Sequence, residues 1–152
     1  MSAQWRDDAA GAEPVLRDLT PVRLDAVMAI EVAAYAFPWS RGNFIDSIAA
    51  GHLARVLLDA RGAVLGYFVA MGGVDEMHLL NITVAPAAQR RGHARRMMAA
   101  LIAQCRAEAA HALWLEVRES NASARSIYER MGFVQQGRRK GYYPAPLGRR
   151  ED

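Results

Sequence analysis

Leu79-Leu80-Asn81-Ile82-Thr83-Val84-Ala85-Pro86-Ala87-Ala88-Gln89-Arg90-Arg91-Gly92-His93-Ala94 runs from an apolar segment, through a turn marked by Pro86, into a basic glycine loop. A helical pattern from Arg95 to Ala110 follows it. Strand, turn, loop and helix in this order build an anion site. The first N–H groups of a helix lack partners within the helix, and the aligned peptide dipoles add partial positive charge there. Gly92 lets the backbone come close to a ligand that a side chain would hold off. Arg90, Arg91, Arg95 and Arg96 add full charges. The guest that suits this chemistry is a phosphate or pyrophosphate. A basic helix start that binds nothing is the competing reading, because so short a motif also arises by chance.

Working outward, Val15 to Leu19 reads as a first strand, and Thr20-Pro21 as a helix start with a hydroxyl cap and a proline whose missing N–H costs nothing. Helix one then runs from Pro21 to about Tyr35 and stops before Phe37-Pro38. Ser40 caps a second helix, Arg41 to Ala50, with Phe44, Ile45 and Ile48 on its apolar face and Gly51 closing it. His52 to Leu58 and Ala63 to Met71 form a hairpin around Asp59-Ala60-Arg61-Gly62, and Glu76 to Val84 is the fourth strand. Helix three carries Ala94, Met97, Met98, Leu101, Ile102, Cys105 and Ala109 on one face, so Cys105 reads as core rather than catalyst. Leu113 to Val117 is the fifth strand; Asn121 opens helix four, with Ala124, Ile127, Tyr128 and Met131 as its stripe and Gly132 after it; Phe133 to about Gly141 is a sixth strand. This order predicts an α/β chain with a mixed (α+β) sheet and helices on its faces. Residues 1–13 read as a frayed tail and 14–152 as a single domain.

At 152 residues, 52% apolar and 23% charged, the chain has the composition of an ordinary globular enzyme. The apolar runs are too short for a membrane span, and Met1 to Glu13 lacks the apolar core of a signal peptide. One cysteine excludes an internal disulfide and fits a reducing cytoplasm. The net charge of +3 is explained by arginines near the loop, with no basic run interleaved with stacking aromatics, so nucleic acid is not expected as a partner. The four histidines lack metal-ligand spacing.

Several residues could carry chemistry, each with a plainer alternative. Alternation along the fifth strand puts Glu116 on the face opposite Leu113, Leu115 and Val117. A carboxylate there is either salt-bridged to Arg118 or a helix-three arginine, or put to work. Tyr128, on the apolar face of helix four, reads as a core tyrosine whose hydroxyl a carbonyl would satisfy. Asn121 is a helix cap. Tyr35, Phe37 and Trp39 make either a satellite core or one wall of a cleft, with Tyr142 and Tyr143 opposite.

The Gln/Arg-x-x-Gly-x-Gly/Ala loop after a strand resembles the acetyl-CoA loop of the GNAT N-acetyltransferases. Ala36-Phe37-Pro38-Trp39-Ser40, Trp114-Leu115-Glu116-Val117-Arg118, Asn121, Tyr128-Glu129, Gly132-Phe133 and Tyr142-Tyr143-Pro144 extend the resemblance, in order, to the RimI-type ribosomal-protein-alanine N-acetyltransferases. The resemblance covers about Val15 to the C-terminus. It implies the GNAT acyl-CoA N-acyltransferase fold, a central mixed sheet flanked by four helices. RimI-like chains continue into a last apolar strand where this sequence stops at Arg149-Arg150-Glu151-Asp152, so either the chain is shortened there or that strand is absent or borrowed, and the sheet is expected without it.

The same resemblance implies acetyl-CoA as co-substrate, with no metal, and direct transfer to the N-terminal α-amine of a protein. The expected target is the alanine of small-subunit ribosomal protein number eighteen. Glu116 becomes the general base, and Tyr128 the acid that protonates the departing thiolate. From an ordinary tyrosine to an ordinary thiolate that transfer is uphill by about 2 kcal/mol. Gln89, Arg90, Arg91, Gly92, His93 and Ala94 hold the pyrophosphate, the backbone of Ile82 and Val84 holds the acetyl carbonyl and pantetheine, and Asn121 touches the CoA arm. Tyr35, Phe37, Trp39, Tyr142 and Tyr143 line the peptide groove. A GNAT enzyme for another amine (lysine, a polyamine or an antibiotic), a non-catalytic acyl-CoA-binding module and a basic nucleic-acid-binding domain are the rival readings.

Overall fold

The computed structural model describes residues 13–117 and 121–135, together with the backbone of 143–144 and 150–151. The chain divides into two compact units, one ending at Trp114 and one beginning at Leu115.

In the first unit, β1 (Val15–Asp18), β2 (Leu53–Leu58), β3 (Val64–Gly72) and β4 (Glu76–Val84) form an antiparallel meander. Strand β5 (Ala112–Leu115) follows β4 in the sheet order β1-β2-β3-β4-β5, and the chain reaches it through a helical crossover, which makes the sheet mixed. Helices α1 (Leu24–Ala34) and α2 (Arg41–Ala49) lie between β1 and β2 in sequence, and α3 (His93–Ala107) lies between β4 and β5. The β2–β3 turn is an Asx turn. Asp59 Oδ1 accepts from the N–H groups of Arg61 and Ala63, both at 2.9 Å.

Alternation assigns the two faces of the sheet. Val56, Leu58, Tyr67 and Val69 are buried with Leu19, Leu24, Val27 and Phe44 against α1 and α2. The intervening residues Gly66, Phe68 and Ala70 face the other way, where Met97, Met98, Leu101 and Cys105 of α3 are buried. Cys105 is thus a core residue, and burial pushes its thiol pKa up. The closest approach is at Gly66. A β-carbon there would lie 2.6 Å from the Thr83 carbonyl oxygen and 2.9 Å from Met97 Cε.

Some boundaries differ from the sequence reading. Pro21–Arg23 is a 3₁₀ turn, Thr20 makes no side-chain cap, and α1 begins at Leu24. Helix α3 ends at Ala107, with Ala109 left-handed at φ 57°. An alanine at that position carries no stop signal, so the apolar pattern reads on to Ala110. Phe44 and Ile48 face the core, but Ile45 is exposed. Strand β5 stops at Leu115, and Phe133 to Gln135 are not strand.

In the second unit, α4 (Ala122–Arg130) begins on Asn121, whose Oδ1 accepts from Ala124 N at 3.1 Å. It ends in a Schellman turn. Gly132 (φ 97°) donates to Glu129 O at 3.0 Å and Phe133 donates to Tyr128 O at 3.0 Å. The accompanying apolar contact is the edge-to-face pair of Tyr128 and Phe133, with ring centroids 5.9 Å apart. Strands β6 (Tyr143–Pro144) and β7 (Arg150–Glu151) pair antiparallel.

Candidate active site

The loop after β4 has the backbone of an anion cradle. Pro86–Ala88 makes one 3₁₀ turn, Gln89 is extended, and Arg90 (φ 66°) and Gly92 (φ 79°) are both left-handed. Gly92 is the N-cap of α3, and Arg96 N closes the first helical bond onto Gly92 O at 3.0 Å. With no side chain at the cap, the N–H groups of the first turn are left for a ligand or solvent. No atom lies within 4 Å of where a Gly92 β-carbon would stand. Glycine is required there by the positive φ, and the space beside it is open. Arg90 adopts the same region without that freedom, a strain of about 1–3 kcal/mol of the kind that collects at functional sites. Gln89 Nε2 reaches back to Val84 O at 3.5 Å.

The charges around this loop are not equivalent. Arg96 is paired with Glu13 at 2.9 Å, and the arginine lowers the Glu13 pKa. Among the described residues, Arg90, Arg91 and Arg95 form no ion pair, and all three are exposed. His93 is the first residue of the helix. Desolvation lowers its pKa, and the charges of Arg91 and then Arg96 push it the same way. Burial is the larger cause, and the positive charges of the loop add to it.

A buried carboxylate joins α1 to β4. Glu31 is 1% exposed. Its Oε1 accepts from Tyr67 Oη at 2.7 Å and Asn81 Nδ2 at 3.1 Å, and its Oε2 accepts from the backbone N–H of Trp39 at 2.8 Å. Asn81 Oδ1 accepts from Thr83 Oγ1 at 2.7 Å, Thr83 Oγ1 meets Tyr35 Oη at 2.7 Å, and Tyr35 Oη also donates to Ile82 O at 3.2 Å. Burial, then the Glu31 hydrogen bond and charge, raises the Tyr67 pKa far above its ordinary value and keeps it a neutral donor. Desolvation likewise raises the Tyr35 pKa, opposed by its bond to Thr83. Sequence reasoning passed over Glu31, Tyr67 and Thr83. The signal was available, since Leu24, Val27 and Glu31 share one helical stripe, and a carboxylate on a buried stripe needs partners.

The aromatic segment after α1 is divided by this network. The Trp39 ring packs on Phe44 at 5.0 Å, and Phe44 packs on Tyr67 at 5.7 Å, so Trp39 belongs to the core. Tyr35 turns to β4, and Phe37 is exposed. Strand β4 is bulged at Leu80, since Val69 faces Asn81 while Ala70 faces Leu79. Ile82 and Val84 lie just beyond that bulge, where added twist re-aims the strand. Residues 89–94, Tyr35 and the Ile82 carbonyl therefore cluster around the C-terminal end of β4 in the first unit.

In the second unit, Glu116 lies one residue past the end of β5 and is exposed. The sequence reading put it inside a strand running from Leu113 to Val117. The alternation itself holds, because Leu113, Leu115 and Val117 are half-buried while Trp114 and Glu116 are exposed. The ladder simply ends sooner. Tyr128 is half-buried. Arg118 and Tyr142 lie outside the described residues, and Tyr143 is described only by its backbone, opposite Glu151.

Among the described residues, no group of three or more His, Cys, Asp and Glu side chains could hold a metal ion, and no helix is long and apolar enough to cross a membrane. The model of the acetyltransferase (GNAT) family matches residues 24–133. The chain is 38% identical over 123 residues to the ribosomal protein bS18-alanine N-acetyltransferase of Haemophilus ducreyi, covering 81% of this chain and 84% of that one. It is 35% identical over 136 residues to the protein of the same name in Escherichia coli, covering 90% and 91%. The crystal structure of the Escherichia coli ribosomal-protein-alanine N-acetyltransferase superposes with a TM-score of 0.84 over 91% of this chain and 88% of that one, at 35% identity. A left-handed, arginine-rich loop between β4 and a crossover helix, within a match that spans most of the sequence, leads to one assignment: the chain belongs to the acetyltransferase (GNAT) family.

Proposed function

We propose that this protein transfers the acetyl group of acetyl-CoA to the N-terminal alanine of ribosomal protein bS18, in the cytoplasm, as one catalytic domain spanning residues 14–152. The observation that carries the reading is the loop 89–94. Two left-handed residues, an uncapped helix start and three arginines without ion pairs among the described residues suit a pyrophosphate. The names of the relatives supply the acceptor.

Acetyl-CoA supplies an activated acyl thioester. The chain's own groups do the rest. Gln89 to Ala94 bind the pyrophosphate through backbone N–H groups and arginines. The backbone of Ile82 and Val84 orients the acetyl carbonyl and pantetheine amides, with Asn121 touching the CoA arm. Glu116 takes a proton from the amine, and Tyr128 supplies one to the departing sulfur. Tyr35, Phe37, Tyr142 and Tyr143 border the peptide.

Acid–base chemistry favours an α-amine. With a pKa near 7.8, about a third of it is neutral at pH 7.5, against about 0.1% of a lysine side chain. The test is a competition between a peptide beginning Ala-Arg with its lysines blocked and the same peptide blocked at its N-terminus with one lysine free. Mass spectrometry should find the first acetylated faster. Preference for the lysine peptide would move the assignment to a GNAT enzyme for another amine.

A further inference from the structure

The donors in the Glu31 network can be counted. A carboxylate accepts only, so Asn81 must turn its Nδ2 toward Glu31 and its Oδ1 toward Thr83. Thr83 then gives its one hydroxyl hydrogen to Asn81. At 2.7 Å from Tyr35, Thr83 Oγ1 can therefore only accept, and the Tyr35 hydrogen must point to it. That hydrogen is shared at most with Ile82 O, 3.2 Å away. Tyr35 is the outer end of the chain, 39% exposed, while Glu31 at the inner end is 1% exposed. With its hydrogen turned inward, the Tyr35 oxygen has only lone pairs to offer a ligand.

We propose that Tyr35 is a specificity-determining residue, whose hydroxyl oxygen accepts a hydrogen bond from the substrate amine. Glu31, Asn81 and Thr83 are positioning residues that hold its hydrogen inward. The proposal rests on the reading that the β4 backbone at Ile82 receives the acetyl group, because the Tyr35 oxygen stands against that carbonyl. No proton is transferred along the relay; it sets the direction of one hydroxyl. The acceptor suits an amine, which arrives with N–H groups to donate, and repels a group that can only accept. The raised Tyr35 pKa keeps the phenol neutral as this requires.

The test pairs an alanine-starting peptide with its desamino counterpart, in which hydrogen replaces the α-amine and which serves as a competitive inhibitor. Tyr35→Phe is expected to raise KM for the amine peptide about tenfold, the scale of a hydrogen bond to a charged group. The inhibition constant of the desamino peptide and the Kd of acetyl-CoA should be unchanged. Thr83→Val, close to isosteric, removes the acceptor at 2.7 Å and leaves the Tyr35 hydrogen held only by Ile82 O at 3.2 Å, so it should shift the two peptides in the same unequal way but by less. A purely structural role would weaken both peptides alike, and that result, or an unchanged KM in both variants, overturns the proposal while leaving the proposed function standing. A wild-type protein that binds acetyl-CoA but acetylates no α-amine overturns the proposed function and this inference together.

Discussion

Glu116 leaves the sheet one residue after the β5 ladder ends and is exposed. In the proposed reading, a base at that position meets an amine arriving from solvent. Tyr128 is held differently. Its carbonyl accepts the Schellman bond from Phe133, and its ring packs on the Phe133 ring at 5.9 Å. Glu116→Gln and Tyr128→Phe are each expected to lower kcat by about 10²–10⁴-fold, the usual range for general acids and bases, with acetyl-CoA affinity retained. Higher pH should partly restore Glu116→Gln, since the amine then sheds its own proton. Steady-state kinetics at pH 7 and pH 9 measure both effects, and wild-type turnover in either variant removes the role assigned to that residue. His93 reports on the loop. Its pKa lies below 6.5 in the free protein, so the unfolded chain binds more protons just below that pH. The stability tied to His93 is therefore intact above pH 6.5 and declines as pH falls through the folded pKa. Phosphates seated on the loop offset the charges of Arg91 and Arg96 and should raise that pKa. An NMR titration with and without acetyl-CoA checks this, and a pKa that does not move would unseat the pyrophosphate from residues 89–94.

At the scale of elements, the approach of α3 to the sheet decides where its N-terminus points. Gly66 lies between Leu57 and Val84 in the ladder, and Met97 of α3 sits directly over it. A methyl group there would collide with the Thr83 carbonyl as well as Met97, and the carbonyl is backbone that cannot swing aside. Gly66→Ala is thus expected to destabilise by about 1–3 kcal/mol through overpacking. It should also weaken acetyl-CoA binding, because the displaced atoms belong to β4 and to the helix that carries the loop. Denaturant unfolding and calorimetry measure the two effects. An unchanged unfolding midpoint would mean that the helix and sheet do not meet as closely as described. The same strand shows why a bulge matters. Leu80 is the extra residue, and beyond it Asn81 and Thr83 bring their side chains into the Glu31 network.

Across the molecule, local signals and long-range ones separate cleanly. Local chemistry was readable from residues close in sequence. Ser40 caps α2 by bonding Asn43 N, and Asn121 caps α4 by bonding Ala124 N. The strand–loop–helix order around Arg90-Arg91-Gly92 and the apolar stripe of α3 belong to the same class, as does the alternation that turns Glu116 away from Leu115. Element ends were harder. Ala109 in a left-handed turn and the early end of β5 reflect packing, which carries no mark in a short window. Tertiary structure alone decided the partners of Glu31. Tyr67 is 36 residues away and Asn81 is 50, so their convergence requires the meander to pair in one register with α1 laid across it. A buried carboxylate is stable only when that register supplies its donors. The sequence by itself therefore determined the basic glycine loop and its helix, which need only near neighbours, whereas the direction of the Tyr35 hydroxyl was decided when distant strands closed around Glu31.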